Sequence, residues 1–158
     1  MTKKYEVKTL GSVKQDEKGF FIEIDKEYQK ALLNIEGFSH LNVLWWATEF
    51  DDETYRSYTV SKKPYKKGPD QLGMFATRSP IRPNPICLSV VEVMFIDENK
   101  VYVPYIDAYV DTPIIDIKPY HMCTDKLEKA QVPKWCQHWP KCYEDSGQFD
   151  WESEFENA

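Results

Sequence analysis

The stretch Gly73-Met74-Phe75-Ala76-Thr77-Arg78-Ser79-Pro80-Ile81-Arg82-Pro83-Asn84-Pro85-Ile86 sets two arginines four residues apart among three prolines. Each proline fixes its own φ, removes a backbone donor and pushes the preceding residue toward extended geometry. Neither a helix nor a central strand can run through such a stretch. It reads as a stiff, irregular loop. Much of its backbone entropy is gone before folding, so Arg78, Arg82 and Asn84 can be held in place at little further cost. Rigid loops carrying fixed polar groups are where binding and catalysis concentrate.

On both sides of this loop the chain reads as short strands. Upstream, residues 5–10 alternate and predict a first strand, and residues 12–18 are polar and turn-like. Phe20, Ile22 and Ile24 define one face of a second strand. Residues 26–33 place Tyr28, Ala31 and Leu32 at helical spacing, and Gly37 breaks the pattern. Residues 38–48 begin with a turn and become a buried strand in which Asn42 is the one strongly polar residue. Residues 51–72 are hydrophilic, with an edge strand expected at 55–60; so long a connection marks a functional or mobile loop. Downstream, residues 88–96 predict a long apolar strand, 97–99 a hairpin turn and 101–106 the return strand. A second polar loop over 107–113 leads to a short strand at 114–118, which ends at Pro119-Tyr120. Thr124 is expected to cap a helical turn over 124–130.

Many short sequential strands with little helix predict an all-β, mainly antiparallel fold. The expected form is a small β-barrel or strongly bent sheet with one or two short helices. Residues 1–130 are assigned to this domain. Residues 131–158, with Trp135, Trp139 and Trp151, read as an irregular C-terminal tail packed on it and frayed at its end.

The length of 158 residues suits one domain with a real core. No run of about 18 apolar residues exists, which argues against a membrane span. Basic Lys3 and Lys4 have no apolar region behind them, so no signal peptide is read and a cytoplasmic location is expected. A net charge of −6 disfavours a large non-specific nucleic-acid surface. Lys62, Lys63, Lys66 and Lys67 with Arg78 and Arg82 leave room for a local basic patch. Cys136 and Cys142 flank His138, with His121 and Cys123 upstream, but the spacing forms no CxxC pair. Scattered structural thiols are preferred to a zinc site, and no metal ligand is assigned.

The residue types support two readings at most positions. Arg78 and Arg82 suit a carboxylate or phosphate ligand, or pair with acids of the same chain. Asp107, Asp111, Thr112, Asp116, Lys118 and Tyr120 form either a polar rim at a strand end or a solvated turn joined to a routine Asp116–Lys118 pair. Asp116 and Lys118 share one face of their strand, with Ile115 and Ile117 on the other. His40 reads first as a structural histidine, since no serine or cysteine nucleophile is paired with it. P-loop, GxGxxG and HExxH patterns are absent, so nucleotide-hydrolase, Rossmann and zinc-protease readings have no support.

The segment from Gly73 through Arg78, Arg82 and Asn84 to Ser89, followed by Asp116-Ile117-Lys118-Pro119-Tyr120, resembles the TsaA-like family. Ile35 to Leu41 and Asp107 through Thr112-Pro113 add matches in the right order. That family includes the tRNA methyltransferase acting on N6-threonylcarbamoyladenosine. The resemblance implies a small β-barrel, S-adenosylmethionine (SAM) as methyl donor and a homodimer with the donor near the subunit contact. It implies tRNA as a partner. It places Arg78, Leu88, Asp107 and Thr112-Pro113, with Arg82, Asn84 and Asp111 beside them, at the cofactor. On this reading Asp116 is the candidate base, and Lys118, Tyr120 and His40 orient the acceptor. The alternative is a non-catalytic module of the same fold that binds an anionic small molecule or a partner protein. Three departures stand out. Cys87 replaces a family glycine. Val110-Asp111 replaces Asp-Gly, so the turn is expected to lose its positive φ. The family's N-terminal Pro-Arg-Gln segment has no match in residues 11–24.

Overall fold

Apolar residues spaced two apart, interrupted by prolines and turn residues, should build strands and little else. The computed structural model describes residues 3–157 and contains nine strands with only short helices. The strands are β1 (Gly11–Asp16), β2 (Gly19–Ile24), β3 (His40–Trp46), β4 (Val60–Lys62), β5 (Gln71–Gly73), β6 (Ile86–Glu92), β7 (Phe95–Asp97), β8 (Lys100–Val103) and β9 (Pro113–Pro119). The helices α1 (Glu53–Ser57), α2 (Met122–Asp125) and α3 (Tyr143–Ser146) are single turns. No helix among the described residues is long and apolar enough to cross a membrane.

The chain divides into two compact units. One holds the residues up to Asp51 together with Pro85–Lys126; the other holds Asp52–Asn84 and the residues from Leu127 on. The first carries a seven-stranded antiparallel sheet in the order β6-β3-β9-β1-β2-β8-β7. The pairings among the described residues do not close it into the barrel that was expected; β6 and β7, at the two ends of the order, are consecutive stretches of one run of chain. Its buried face carries Val13, Ile22, Leu41, Val43, Val91, Val101 and Ile114, each fully or almost fully shielded from solvent. Burying one such side chain is worth about 1.5–3 kcal/mol, so this face supplies most of the drive to fold.

Several local expectations shift. Residues 5–10 join no strand, and the ladder starts at Gly11, because β1 reads polar: Val13 is its one buried large apolar residue. The helical spacing at 26–33 produces a 3-10 run, Lys26–Leu32, that seats Leu32 and Tyr28 on the core. The predicted strand at 88–96 is two strands, because the run changes partner: β6 pairs with β3 and β7 with β8, with Val93 N–H donating to the Ser39 carbonyl and Met94 N–H to the Tyr102 carbonyl at the switch. Residues 55–57 are the end of α1, and the short strand expected at 55–60 begins only at Val60, as β4. Asp52 caps that helix by accepting from the Tyr55 N–H at 2.8 Å. Thr124 lies inside α2 and bonds back to the His121 carbonyl at 3.2 Å instead of capping.

In the second unit β4 and β5 form a hairpin. The connection between them turns at Tyr65, which stacks on Trp135 with ring centres 5.2 Å apart and meets Trp139 edge-on at 5.1 Å. Trp139 in turn packs edge-on against Trp151. Residues 154–157 run beside residues 62–66: Lys66 N–H donates to the Glu154 carbonyl and Glu156 N–H to the Pro64 carbonyl. Glu154 is only 6% exposed, yet its carboxylate is fully occupied. It accepts from Trp139 Nε1 at 3.1 Å and pairs with His138 Nε2 at 2.8 Å.

Candidate functional site

The prolines make the arginine loop stiff, and hydroxyl groups give it a definite shape. Thr77 Oγ1 donates to the Met74 carbonyl at 2.9 Å and accepts from Ser79 N–H; Ser79 Oγ accepts from Ile81 N–H. These side-chain turns replace the ladder that prolines forbid. Arg82 is half-buried and donates from Nη1 to the Ser79 carbonyl at 3.3 Å, so it braces the loop. Asn84 accepts at Oδ1 from Arg56 Nη2 at 3.2 Å. Arg78 is exposed and makes no hydrogen bond or ion pair among the described residues. Of the three polar residues singled out in this loop, Arg78 alone keeps its donors for something else. All three belong to the second unit.

The remaining candidates belong to the first unit, and strand register decides how they stand. Leu44 pairs with Leu88 on one side and Asp116 on the other; Asn42 pairs with Val90 and Lys118; His40 pairs with Glu92. Tyr120 N–H donates to the His40 carbonyl at 3.0 Å. Directly opposed residues project to the same face of a sheet. Leu88, Asp116, Lys118, His40 and Tyr120 therefore share the face opposite Leu41, Val43 and Val91. A bulge between Leu44 and Trp45 leaves Ile115 as the extra residue of β9. It lets Ile114 and Ile117, three apart, both serve the core. Leu88 is 43% exposed, a large apolar side chain on an open sheet face.

Asp116 is engaged on both oxygens. Oδ1 accepts from Ile117 N–H at 2.9 Å, and Oδ2 sits 2.6 Å from Lys118 Nζ. The routine surface pair weighed from the sequence is thus formed, and the two residues act as a unit on that face. His40 Nδ1 lies 2.9 Å from Ser39 Oγ.

The 107–113 segment is anchored to β1: Asp111 N–H donates to the Val13 carbonyl at 2.7 Å and Val13 N–H to the Thr112 carbonyl at 2.9 Å. Thr112 is buried, Pro113 opens β9, and exposed Asp107 accepts from the Tyr105 hydroxyl at 3.3 Å. Asp111 keeps the positive φ, at +71°, that was expected to vanish with the family glycine. Aspartate tolerates the left-handed region better than most residues, and its carboxylate pairs with Lys14. Pro113 and Tyr120 stand at opposite ends of β9, roughly 20 Å apart by strand rise. The 107–113 turn and the His40–Tyr120 pair thus do not converge.

The Cys87 departure is resolved by alternation. Cys87 pairs with Trp45 and points to the side of Ser89 and Val91, away from the Leu88 face. Ser89 Oγ on that side accepts from Trp45 Nε1 at 3.0 Å. The cysteines and histidines of the tail are used elsewhere: Cys136 Sγ bonds the Pro133 carbonyl and Cys142 Sγ bonds Asp145. Among the described residues no three His, Cys, Asp or Glu side chains gather as ligands for a metal ion. Arg56 is the residue that sequence reasoning missed. A lone arginine in a polar stretch carries no signal of a partner 28 residues away.

Comparison with known proteins gives this arrangement a context. The family model of the tRNA-methyltransferase O N-terminal domain matches residues 4–126. A probable S-adenosyl-L-methionine-binding protein of Archaeoglobus fulgidus is 39% identical over 111 residues, covering 70% of this chain and 29% of its own length. The mouse tRNA (adenine(37)-N6)-methyltransferase is 33% identical over 104 residues, covering 66% of this chain and 23% of its own. The crystal structure of TrmO from Pseudomonas aeruginosa superposes with a TM-score of 0.61 at 23% identity. That likeness covers 82% of this chain and 62% of that one, and it speaks for the fold. This chain therefore spans less than two thirds of the length of each of these three proteins. With the family model covering most of the chain, the protein belongs to the family of the tRNA-methyltransferase O N-terminal domain.

Proposed function

We propose that this chain is a SAM-dependent methyltransferase that methylates N6-threonylcarbamoyladenosine in tRNA, working in the cytoplasm as a homodimer. The observation that carries this reading is Arg78: an exposed guanidinium that makes no hydrogen bond or ion pair among the described residues, on a loop whose Thr77, Ser79, Arg82 and Asn84 side chains are all engaged within the protein. Family membership and the relatives' SAM-binding and tRNA-methylating names support the choice of ligand and acceptor.

Within each unit, residues suit one part of the donor's chemistry. SAM carries a carboxylate, a flat purine and a sulfonium, and when bound it supplies an electrophilic methyl group. Arg78 offers a planar fork of donors to the carboxylate. Leu88, exposed beside Leu44, offers an apolar seat to a flat ring. Asp111, Thr112 and Pro113 contribute a turn with fixed backbone groups, and Asp107 an exposed carboxylate. Arg82 and Asn84 serve by shaping the loop. Most of the rate in such a displacement comes from positioning, worth up to about 7–11 kcal/mol in the best cases. Lys118, Tyr120 and His40 share one face and would orient the acceptor. Asp116 is the candidate base, and it accepts a proton only as Lys118 or the Ile117 N–H releases one of its oxygens. The unpaired edge strand β6, with Ile86 and Leu88 exposed, is the surface offered for pairing with a second copy.

Two measurements test the reading: calorimetric titration with SAM, and transfer of labelled methyl from SAM into threonylcarbamoylated tRNA. Wild type is expected to do both. Arg78→Ala should lose donor affinity by about 10–150-fold, the worth of hydrogen bonds to a charged group, and melt like wild type. Tight binding with no transfer to tRNA would identify a non-catalytic binding module instead. Unchanged affinity in Arg78→Ala would overturn the assignment of the carboxylate.

A further inference from the structure

The arginine loop has a bonding problem that its own residues only half solve. Pro80, Pro83 and Pro85 lack N–H groups, so the loop cannot be held by a backbone ladder. Thr77 and Ser79 close its first half with hydroxyl bonds. Its second half, Pro83-Asn84, has no hydroxyl residue to do the same.

Arg56 supplies the missing bonds from 27 and 28 residues upstream. Its Nε donates to the Pro83 carbonyl at 2.9 Å and its Nη2 to Asn84 Oδ1 at 3.2 Å. The helix that carries it, α1, is itself fixed: Arg56 N–H donates to the Asp52 carbonyl at 2.9 Å, and Asp52 caps the first turn. Two bonds from adjacent nitrogens of one rigid guanidinium fix direction as well as distance. The clamp is continuous with the first half of the loop. Pro83 follows Arg82, whose guanidinium bonds the Ser79 carbonyl, and Ser79 follows Arg78.

We propose that Arg56 is a positioning residue for the arginine–proline loop: by clamping Pro83 and Asn84 it sets the conformation from which Arg78 meets the donor's carboxylate. This rests on the reading of Arg78 given above. Arg56 touches no donor atom in this scheme; it acts through the loop. Lysine cannot replace it, because a single ammonium on a flexible stem lacks the fork.

The test compares the full chain as wild type, Arg56→Ala, Arg56→Lys and Arg78→Ala. Amide hydrogen exchange is read over residues 77–86 without ligand, and calorimetric affinity is read with SAM as the probe. Arg56→Ala should raise exchange in that segment several-fold while β3 and β9 stay protected as in wild type. It should weaken SAM binding measurably, and by less than Arg78→Ala does, because the loss acts only through the loop. Arg56→Lys should keep most of both defects. Arg78→Ala should show wild-type exchange and lost affinity. Wild-type exchange in Arg56→Ala overturns the clamp. Raised exchange with unchanged affinity overturns the positioning role, as does full rescue by lysine. A wild type that binds no SAM overturns the reading of Arg78 and the positioning role with it, and the exchange data then judge the clamp separately.

Discussion

Replacing Gly11 by alanine should damage the sheet more than any other single methyl addition at a glycine of this chain. Gly11 opens β1 between β2 and β9, opposite Ile24 and Ile114, with φ at +158°. A Cβ there would lie 2.0 Å from the Glu23 carbonyl oxygen and 2.9 Å from the Ile24 Cα, where ordinary contact begins at 3.4 Å. The obstacle is backbone on a paired strand, so no side chain can swing away. β1 must separate from β2 by more than an ångström or leave its place. Either move strains the bonds from Leu10 N–H to the Ile114 carbonyl and from Asp25 N–H to the Leu10 carbonyl. Overpacking costs typically about 1–3 kcal/mol, and each lost backbone bond about 1 kcal/mol. A loss of about 2–4 kcal/mol is expected, a large share of the ~5–15 kcal/mol that holds an ordinary domain. Urea unfolding followed by circular dichroism should show it as a midpoint lower by about 1–2 M, at a slope near 2 kcal/mol/M. Gly147→Ala is the control, since a Cβ there meets nothing within 4 Å. A loss under about 0.5 kcal/mol in Gly11→Ala, the ordinary scatter of surface changes, would refute the close-approach argument.

Two pH effects follow from hydrogen bonds accepted by carboxylates. Tyr102 donates to Asp16 Oδ2 at 2.8 Å; this bond holds the Asp16 carboxyl below its usual range and, reciprocally, pushes the Tyr102 phenol up to about 12. The Asp16 contribution is full above about pH 4, the ordinary aspartate value, and is lost as pH falls through the lower folded value. The Tyr102 contribution is full below about pH 10 and is lost as pH rises through its folded value. Tyr102→Phe should therefore differ most from wild type between those limits, in urea melts at stepped pH; a difference that does not shrink below pH 4 would count against it. Glu154 is likewise held below its usual range, first by the bond from His138 and then by Trp139. Its stabilisation should be complete above about pH 4.3 and fade as pH falls through the lowered value. Glu154→Gln should loosen the cluster at neutral pH, seen as a shift in tryptophan emission, and differ little from wild type in acid. Identical emission at neutral pH would rule that out.

The arginine loop shows where sequence reading works and where it stops. Three prolines exclude helix and ladder by local sterics, and the structure keeps that segment irregular. The same prolines say nothing of which cation stays available: Arg82 turns inward to the Ser79 carbonyl, and Asn84 is taken by Arg56. The strand at Gly19–Ile24 was readable because Ile22 and Ile24 alternate into the core. β1 was not, because Val13 is its one large apolar residue in the core and a single residue makes no period. The loss of a glycine at Asp111 suggested a changed turn. The backbone kept its positive φ because two bonds to Val13 hold the segment whatever the side chain.

By itself the sequence determined the elements with short-range causes: strand periodicity, proline-imposed irregularity, and a motif set specific enough to mark the family. Tertiary structure alone decided that the sheet stays open. It decided that Leu88, Asp116, Lys118, His40 and Tyr120 share one face, and that Arg78 makes no hydrogen bond or ion pair among the described residues while Arg56 holds the loop. The physical reason is range. Steric limits on φ and side-chain alternation act over a few residues, whereas register, bulges and hydrogen-bond partners are settled between segments that meet only when the chain folds.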